Sequence, residues 1–121
     1  MLVIKAAEAP RFEMPGAEFT AMASPSRGSA EVCTWRLTIA PQHRADGSHV
    51  LDRDEIFMVV GGQLDVSGQL VEAGDAIVVP AGSPIAVSNP GDEPAEAFVA
   101  IAAGFAATMP DGSRLAPPWA Q

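Results

Sequence analysis

Residues 49–89 decide the fold, and they read HVLDRDEIFMVVGGQLDVSGQLVEAGDAIVVPAGSPIAVSN. Short apolar or alternating segments in this stretch are separated by turns that contain Gly or Pro. Gly permits positive φ and Pro fixes φ, so both residues favour tight turns. Short strands punctuated in this way predict an antiparallel β-meander.

The residues before and after this stretch extend the same pattern. Alternation from Glu31 to Ala40 predicts a long strand, with Cys33, Trp35, Leu37 and Ile39 on its core face. Arg36 lies on the other face. It is an ordinary surface residue if that face is solvated, or an anion-binding group if the face lines a pocket. Further strands are predicted at 1–7, 16–23 and 96–103, and no segment has a helical period.

Composition indicates one globular domain. The chain has 121 residues, 48% of them hydrophobic, and a net charge of −8. Such an acidic chain repels phosphate backbones, so nucleic acid is not expected as a partner. No signal peptide or membrane span is recognisable, which predicts a cytoplasmic protein. The single cysteine, Cys33, cannot form an internal disulfide and is expected to be a buried structural residue.

The start of the meander carries the residues with chemical potential. If one strand runs from His49 to Val59, then His49 and Glu55 share a face with Leu51, Phe57 and Val59. The opposite face is apolar as well, which predicts a strand buried on both sides. Glu55 would then be a partly buried carboxylate that needs a partner, a metal or a raised pKa. Arg53, Arg36 or a loop amide would each be an ordinary partner.

The spacing of these residues resembles the two sequence motifs of the cupin family. Gly74, Pro80, Gly82 and Asn89 match the second motif, and His49, Glu55 and Gly62 match the first. Two histidine positions of the family pattern are instead Leu51 and Ile85, and the leading glycine position is His43. The likeness covers roughly residues 30–103.

The resemblance implies an all-β, single-domain, jelly-roll β-barrel of the RmlC-like type, commonly a homodimer, with a pocket in the barrel mouth. Metal-binding cupins hold their ion on three histidines and a glutamate. Only His49 and Glu55 remain here, and two donors bind a metal weakly. No cofactor is therefore expected. The alternative is a weakly bound divalent metal on His49 and Glu55, with His43 as a third donor.

His49 and Glu55 together predict an acid/base pair. Glu55 would orient the imidazole and raise its pKa, and His49 would move the proton. The pocket would be lined by five apolar residues and by Arg36. The apolar residues are Leu51, Phe57, Val59, Ile85 and Val87.

This site favours a metal-independent isomerase, dehydratase (lyase) or cyclase that acts on a small apolar or carboxylated molecule. A non-catalytic ligand-binding or structural module is the first alternative, and a metal-dependent oxygenase or isomerase is the second.

Three segments are predicted along the chain. Residues 1–29 form an N-terminal strand and loop segment that packs on the barrel or on a partner. Residues 30–104 form the barrel, and residues 105–121 form a coil tail. Trp119 in this tail is too apolar to remain in water, so it is expected to pack on the body or on a partner subunit.

Overall fold

The protein is almost entirely built of β-strands. The computed structural model describes all 121 residues, and its only helical segments are three 3-10 turns, at Ala6–Glu8, Pro25–Arg27 and Pro118–Ala120. The strands are β1 (Arg11–Met14), β2 (Ala17–Ala21), β3 (Val32–Ile39), β4 (His49–Leu51), β5 (Glu55–Gly61), β6 (Gln63–Val66), β7 (Gln69–Glu72), β8 (Ala76–Val79), β9 (Pro84–Ile85), β10 (Val87–Ser88), β11 (Ala95–Ala102), β12 (Ala107–Thr108) and β13 (Arg114–Leu115).

The largest element is a six-stranded antiparallel sheet in the order β1-β2-β3-β11-β5-β8. The alternation predicted for β3 is confirmed, because every second residue from Cys33 to Ile39 is buried. Strand β11 alternates in the same way from Ala95 to Ile101. One face of this sheet therefore forms the wall of the core.

Two smaller sheets complete the enclosure, β13-β12-β4-β9 and β10-β6-β7. The β6–β7 hairpin confirms one of the predicted turns. Its two turn residues, Ser67 and Gly68, have φ angles of 51° and 89°, which suit a type I′ turn. All three sheets contribute to a single hydrophobic core. This is a jelly-roll arrangement, although hydrogen bonding does not join the sheets into one continuous barrel.

The ends of the chain differ from the prediction. Residues 1–5 form no strand, whereas β1 and β2 form a hairpin inside the main sheet. The predicted coil after residue 104 contains β12 and β13, and Ala107 of β12 pairs with Leu51 of β4. Trp119 packs on the body of the protein, stacked on Phe19 with 3.8 Å between ring centroids. The N-terminal hairpin thus extends the main sheet beyond β3, and the C-terminal strands extend the sheet that contains β4.

Two expectations for the start of the meander are wrong. The chain from His49 is not one strand, because the loop at 52–54 passes it from β4 in one sheet to β5 in another. Strand β5 is also not buried on both sides, since Met58 and Val60 are exposed on its outer face. No layer of this chain covers that face.

Candidate functional site

Glu55 lies at the first position of β5, on the core side of the main sheet. It sits between Val79 of β8 and Ile101 of β11 in the strand register. The loop before it is held at two points. Asp52 Oδ1 accepts a hydrogen bond from the Ala106 amide at 2.8 Å, and Asp54 Oδ1 accepts one from the Ala81 amide at 2.9 Å.

These two carboxylates fix the point at which the chain changes sheets, and so they position Glu55. The sequence prediction missed this role. The available signal was a pair of aspartates close before a buried strand, since Asp side chains commonly accept loop amides.

The Glu55 carboxyl is enclosed and lacks a partner. The residue is only 3% exposed, and its Oε2 atom accepts no hydrogen bond. None of the partners considered above bonds to it: Arg36 pairs with another residue, and Arg53 forms no ion pair. Burial without compensation penalises the charged form and raises the pKa of Glu55 to about 8. At neutral pH this group is mainly a carboxylic acid.

His49 lies in β4, beside Ile85 of β9, and is half-buried. Burial lowers the pKa of the imidazole, because a cation is poorly solvated there. The expectation that Glu55 raises the pKa of His49 is therefore wrong in direction. At neutral pH His49 is an uncharged base.

No hydrogen bond or ion pair joins His49 to Glu55, so the carboxyl does not orient the imidazole in the way that the dyad predicts. Burial is the cause of both pKa shifts. The interior therefore holds two separate groups in complementary states: a neutral acid and a neutral base. A substrate atom between them could receive a proton from one and give a proton to the other.

The side chains do not form the donor set that a metal needs. Leu51 and Ile85 lie in the core and have no ligating atoms, and no three His, Cys, Asp or Glu side chains cluster anywhere. His43 lies at the opposite end of the main sheet. Its imidazole lies against Gly16, whereas Glu55 is level with the start of β3. Strand β3 spans eight residues, so roughly 20 Å separates the two ends.

Arg36 does not reach the interior. It lies on the outer face of β3 and forms an ion pair with Glu96 of β11. Of the two interpretations left open by its alternation, the surface one is correct. The site therefore lacks the cation that would have anchored a carboxylate.

The predicted apolar lining is present but is packed tightly. Leu51, Phe57, Val59 and Ile85 all belong to the buried core, whereas Val87 is half-buried against it. Two surface depressions lie elsewhere, along residues 62–63, 72–73 and 91–93, and along residues 69–71 and 74–78. The parts of the site that solvent reaches are His49 and Val87.

The family model of the cupin domain matches residues 35–101, which is more than half of the chain. The chain is a cupin. This agrees with the two motifs and with the jelly-roll sheets. No curated protein matches this cupin by sequence.

Solved structures share the fold of this cupin at low sequence identity. The polyketide cyclase RemF from Streptomyces resistomycificus has a TM-score of 0.70 at 15% identity, with 84% of this chain and 79% of that chain covered. A cupin-superfamily sugar phosphate isomerase from Silicibacter pomeroyi has a TM-score of 0.72 at 19% identity, with 91% and 82% covered. The salicylate 1,2-dioxygenase from Pseudoaminobacter salicylatoxidans has a TM-score of 0.61 at 17% identity, with 76% and 26% covered.

The three names describe different reactions, so the likeness identifies the fold and leaves the reaction to be argued from the site. None of the helical segments of this cupin is long and apolar enough to cross a membrane.

Proposed function

We propose that this cupin binds a small, largely apolar carbonyl compound and moves a proton within it without a metal ion, as an isomerase, dehydratase or cyclase does. One observation carries the proposal: Glu55 is buried with an unpartnered oxygen and a pKa of about 8. A buried polar group without a partner costs about 1–3 kcal/mol. A ligand that bonds to the carboxyl would remove that cost.

The two groups have complementary tasks. His49, neutral and partly open to solvent, accepts a proton from a carbon next to the carbonyl. Glu55, protonated, donates its proton to the carbonyl oxygen and so stabilises the enol form. Return of a proton to a different carbon completes an isomerisation, and loss of a hydroxyl group as water completes a dehydration. Because Arg36 lies outside, we expect a neutral substrate and not a carboxylated one.

Two structural neighbours are named as a polyketide cyclase and a sugar phosphate isomerase, and cyclases and isomerases are among the enzyme types proposed here. At 15% and 19% identity they support the fold, and the proposed reaction rests on Glu55 and His49. The third neighbour is a dioxygenase, but the donor set in this chain favours the metal-independent alternative.

A second candidate is a cupin that binds a ligand without converting it, or that serves a structural role. The burial of the interior favours it, because Leu51, Phe57, Val59 and Ile85 all belong to the hydrophobic core. A ligand of this cupin would have to be small or would have to displace Val87 from the mouth. Turnover distinguishes the two candidates.

Deuterium uptake tests the proton transfer without knowledge of the exact substrate. A panel of small 1,3-diketones and hydroxyketones is incubated with the protein in D2O, and exchange at carbon is followed by NMR. We expect exchange with the wild type, and a loss of about a hundredfold or more in His49→Ala and in Glu55→Gln. Glu72→Gln, a change of the same type at an exposed position, should exchange at the wild-type rate.

Two results would contradict the proposal. Unchanged exchange in His49→Ala with the fold retained would remove His49 from the mechanism. Near-stoichiometric Fe, Mn, Ni or Zn in protein purified without added metal would contradict the metal-free chemistry. Binding of a panel compound, seen as a raised Tm, with no exchange in any variant would favour the non-catalytic candidate.

A further inference from the structure

The Glu55 carboxyl lies in a layer of the core that is closed to solvent. Its Oε2 atom is enclosed, so a substrate reaches it only when a covering segment moves aside. In the strand register Glu55 lies level with Ile101 of β11 and, one strand further, with Cys33 of β3. Neighbouring strands are about 4.8 Å apart, so Cys33 lies roughly 10 Å from Glu55 in this layer. A segment that covers Cys33 therefore also closes one approach to Glu55.

Residues 117–121, which we call the strap, cover the Cys33 side of this layer. The Cys33 thiol donates a hydrogen bond to the Ala120 carbonyl at 3.4 Å, and Cys33 has no exposed surface. Trp119 stacks on Phe19 of β2, which packs against the core. The strap thus lies across the inner side of β2 and β3.

The backbone of the strap is joined to the rest of the protein less firmly than the other segments near Glu55. It forms no backbone hydrogen bond outside itself, since the Ala120 amide donates to the Pro117 carbonyl within the strap. By contrast, β12 pairs with β4, and two aspartate side chains hold the loop at 52–54. The strap can therefore detach without breaking a sheet.

Side chains hold the strap in place. Its carbonyl groups accept hydrogen bonds from three side chains of the segment after β2: from Arg27 to Trp119 at 3.2 Å, from Ser24 to Gln121 at 2.6 Å, and from Ser26 to Gln121. Each of these bonds can be exchanged for a bond to water when the strap opens.

The closed strap also carries an unsatisfied group. The indole Nε1 of Trp119 is buried without an acceptor, and the other buried side-chain nitrogen or oxygen without a partner is Oε2 of Glu55. A buried donor without an acceptor costs free energy, because the water that it loses is not replaced. Opening of the strap returns Nε1 to water, and a ligand that enters can bond to Glu55.

We propose that the strap is a gate: it detaches from β2 and β3 while the three sheets stay folded, and its opening admits a small apolar molecule to Glu55. The nature of this ligand rests on the proposed function, whereas the motion does not. A segment without backbone bonds to its surroundings opens at a lower cost than global unfolding. His49 already meets solvent, so the strap controls access to the acid and not to the base.

Two chemical labels measure the opening in the full chain without any need for turnover. Cys33 is the only cysteine, so N-ethylmaleimide reports its exposure. Dicyclohexylcarbodiimide reacts with protonated carboxyls, and the pKa of about 8 keeps Glu55 protonated at neutral pH. Mass spectrometry of peptides from the labelled protein measures both rates.

Three variants separate the strap from its surroundings. Ser26→Ala removes one bond to the strap at an exposed position, and Trp119→Ala removes the stacked ring. Ser29→Ala is the matched control, because the Ser29 hydroxyl donates to the Val32 carbonyl at 2.6 Å, outside the strap. We expect both labels to react at least threefold faster in Ser26→Ala and at least tenfold faster in Trp119→Ala. Ser29→Ala should react at the wild-type rates.

Urea distinguishes local opening from global unfolding. Well below the unfolding transition the wild-type rates should not depend on urea, because local opening exposes little surface. Rates that rise as steeply with urea as global unfolding does, or rates that neither strap variant changes, would show that the strap is a fixed part of the core and would overturn the proposal. Faster labelling of Cys33 without faster labelling of Glu55 would also contradict it, since the opening would not lead to the carboxyl.

The labelling rates also separate this proposal from the proposed function. A protein that exchanges no deuterium into any panel compound can still show the expected labelling, and then only the proposed function fails. Circular dichroism confirms that each variant is folded. If Trp119→Ala does not fold, Ser26→Ala and Ser29→Ala decide the outcome, because both change a single hydroxyl group.

Discussion

Ionisation of Glu55 couples the candidate site to the stability of the fold. The unfolded carboxyl has a pKa near 4.5, and the folded one a pKa of about 8. The folded state therefore binds the Glu55 proton more tightly than the unfolded state does. The stabilisation of the fold that results is fully present below pH 4.5. This stabilisation is lost as the pH rises toward 8.

Glu55→Gln keeps the shape of the neutral acid but cannot ionise. Relative to this variant, the wild type should lose about 1.4 kcal/mol of unfolding free energy per pH unit between these two pKa values. Urea denaturation of both proteins at pH 5, 6, 7 and 9 measures the difference. Stability curves that stay parallel across this range would mean that Glu55 is charged in the folded protein.

The same two groups determine how activity depends on pH. His49 acts as a base only when neutral, and burial holds its pKa below 6.5. Glu55 acts as an acid only when protonated, so that function declines above about pH 8. As the pH is increased, the rate of deuterium exchange should therefore rise in the range below pH 6.5 and stay level near neutrality. It should then fall at alkaline pH, with a midpoint near pH 8. In Glu55→Gln the residual rate should lack the alkaline fall. An alkaline fall retained in that variant would assign it to another group.

At the scale of single elements, Gly62 explains why the family motif requires glycine after β5. Its φ is 65°, and a Cβ at this position would lie 2.7 Å from the Pro94 carbonyl oxygen and 3.0 Å from the Ala95 Cα. The neighbouring backbone cannot move away without disturbing β11. Gly74 also has a positive φ, of 95°, but nothing lies within 4 Å of where its Cβ would be.

The two glycines therefore form a matched pair for mutation. Gly74→Ala should cost about 1 kcal/mol of unfolding free energy, which is the backbone strain alone. Gly62→Ala should cost at least about 2 kcal/mol more, because it adds a clash with backbone. Thermal or urea denaturation of both variants measures the difference. Equal costs would show that the turn before β6 relaxes freely.

Strand β3 illustrates what the sequence could predict. From Cys33 to Ile39 its apolar and polar residues alternate, so period 2 alone separates the buried face from the outer one. The Ser67-Gly68 turn was predictable for a different reason, because the Ser-Gly pair is typical of turns and Gly permits positive φ. The positions of Gly62, Gly74 and Asn89 reflect backbone geometry, and they made the family recognisable.

Strand β5 illustrates what the sequence could not predict. Its outer residues Met58 and Val60 are as apolar as its inner ones, and pattern alone does not reveal which faces are covered. The ionisation state of His49 could not be predicted from the sequence for a related reason. The direction of its pKa shift depends on whether a carboxylate lies within a few ångströms, and that separation is set by two strands in different sheets.

For the whole molecule, charge and apolar surface are distributed unevenly. A net charge of −8 on 121 residues favours separation of the chains, yet the outward side of β5 and β8 exposes Met58, Val60 and Val78. A monomer would hold this face in water, and monomeric proteins rarely expose a contiguous apolar area of more than a few hundred Å². Association of two chains, which the resemblance to cupins implies, would cover apolar surface and leave the acidic residues in water.

Such a dimer links thermal stability to protein concentration. Unfolding then also separates the chains, so a tenfold rise in concentration stabilises the dimer by about 1.4 kcal/mol and should raise Tm by about 3 °C. Differential scanning calorimetry at 5, 50 and 500 μM measures the slope. A wild-type Tm that is constant over this range would mean that the folded chain is stable without a second copy.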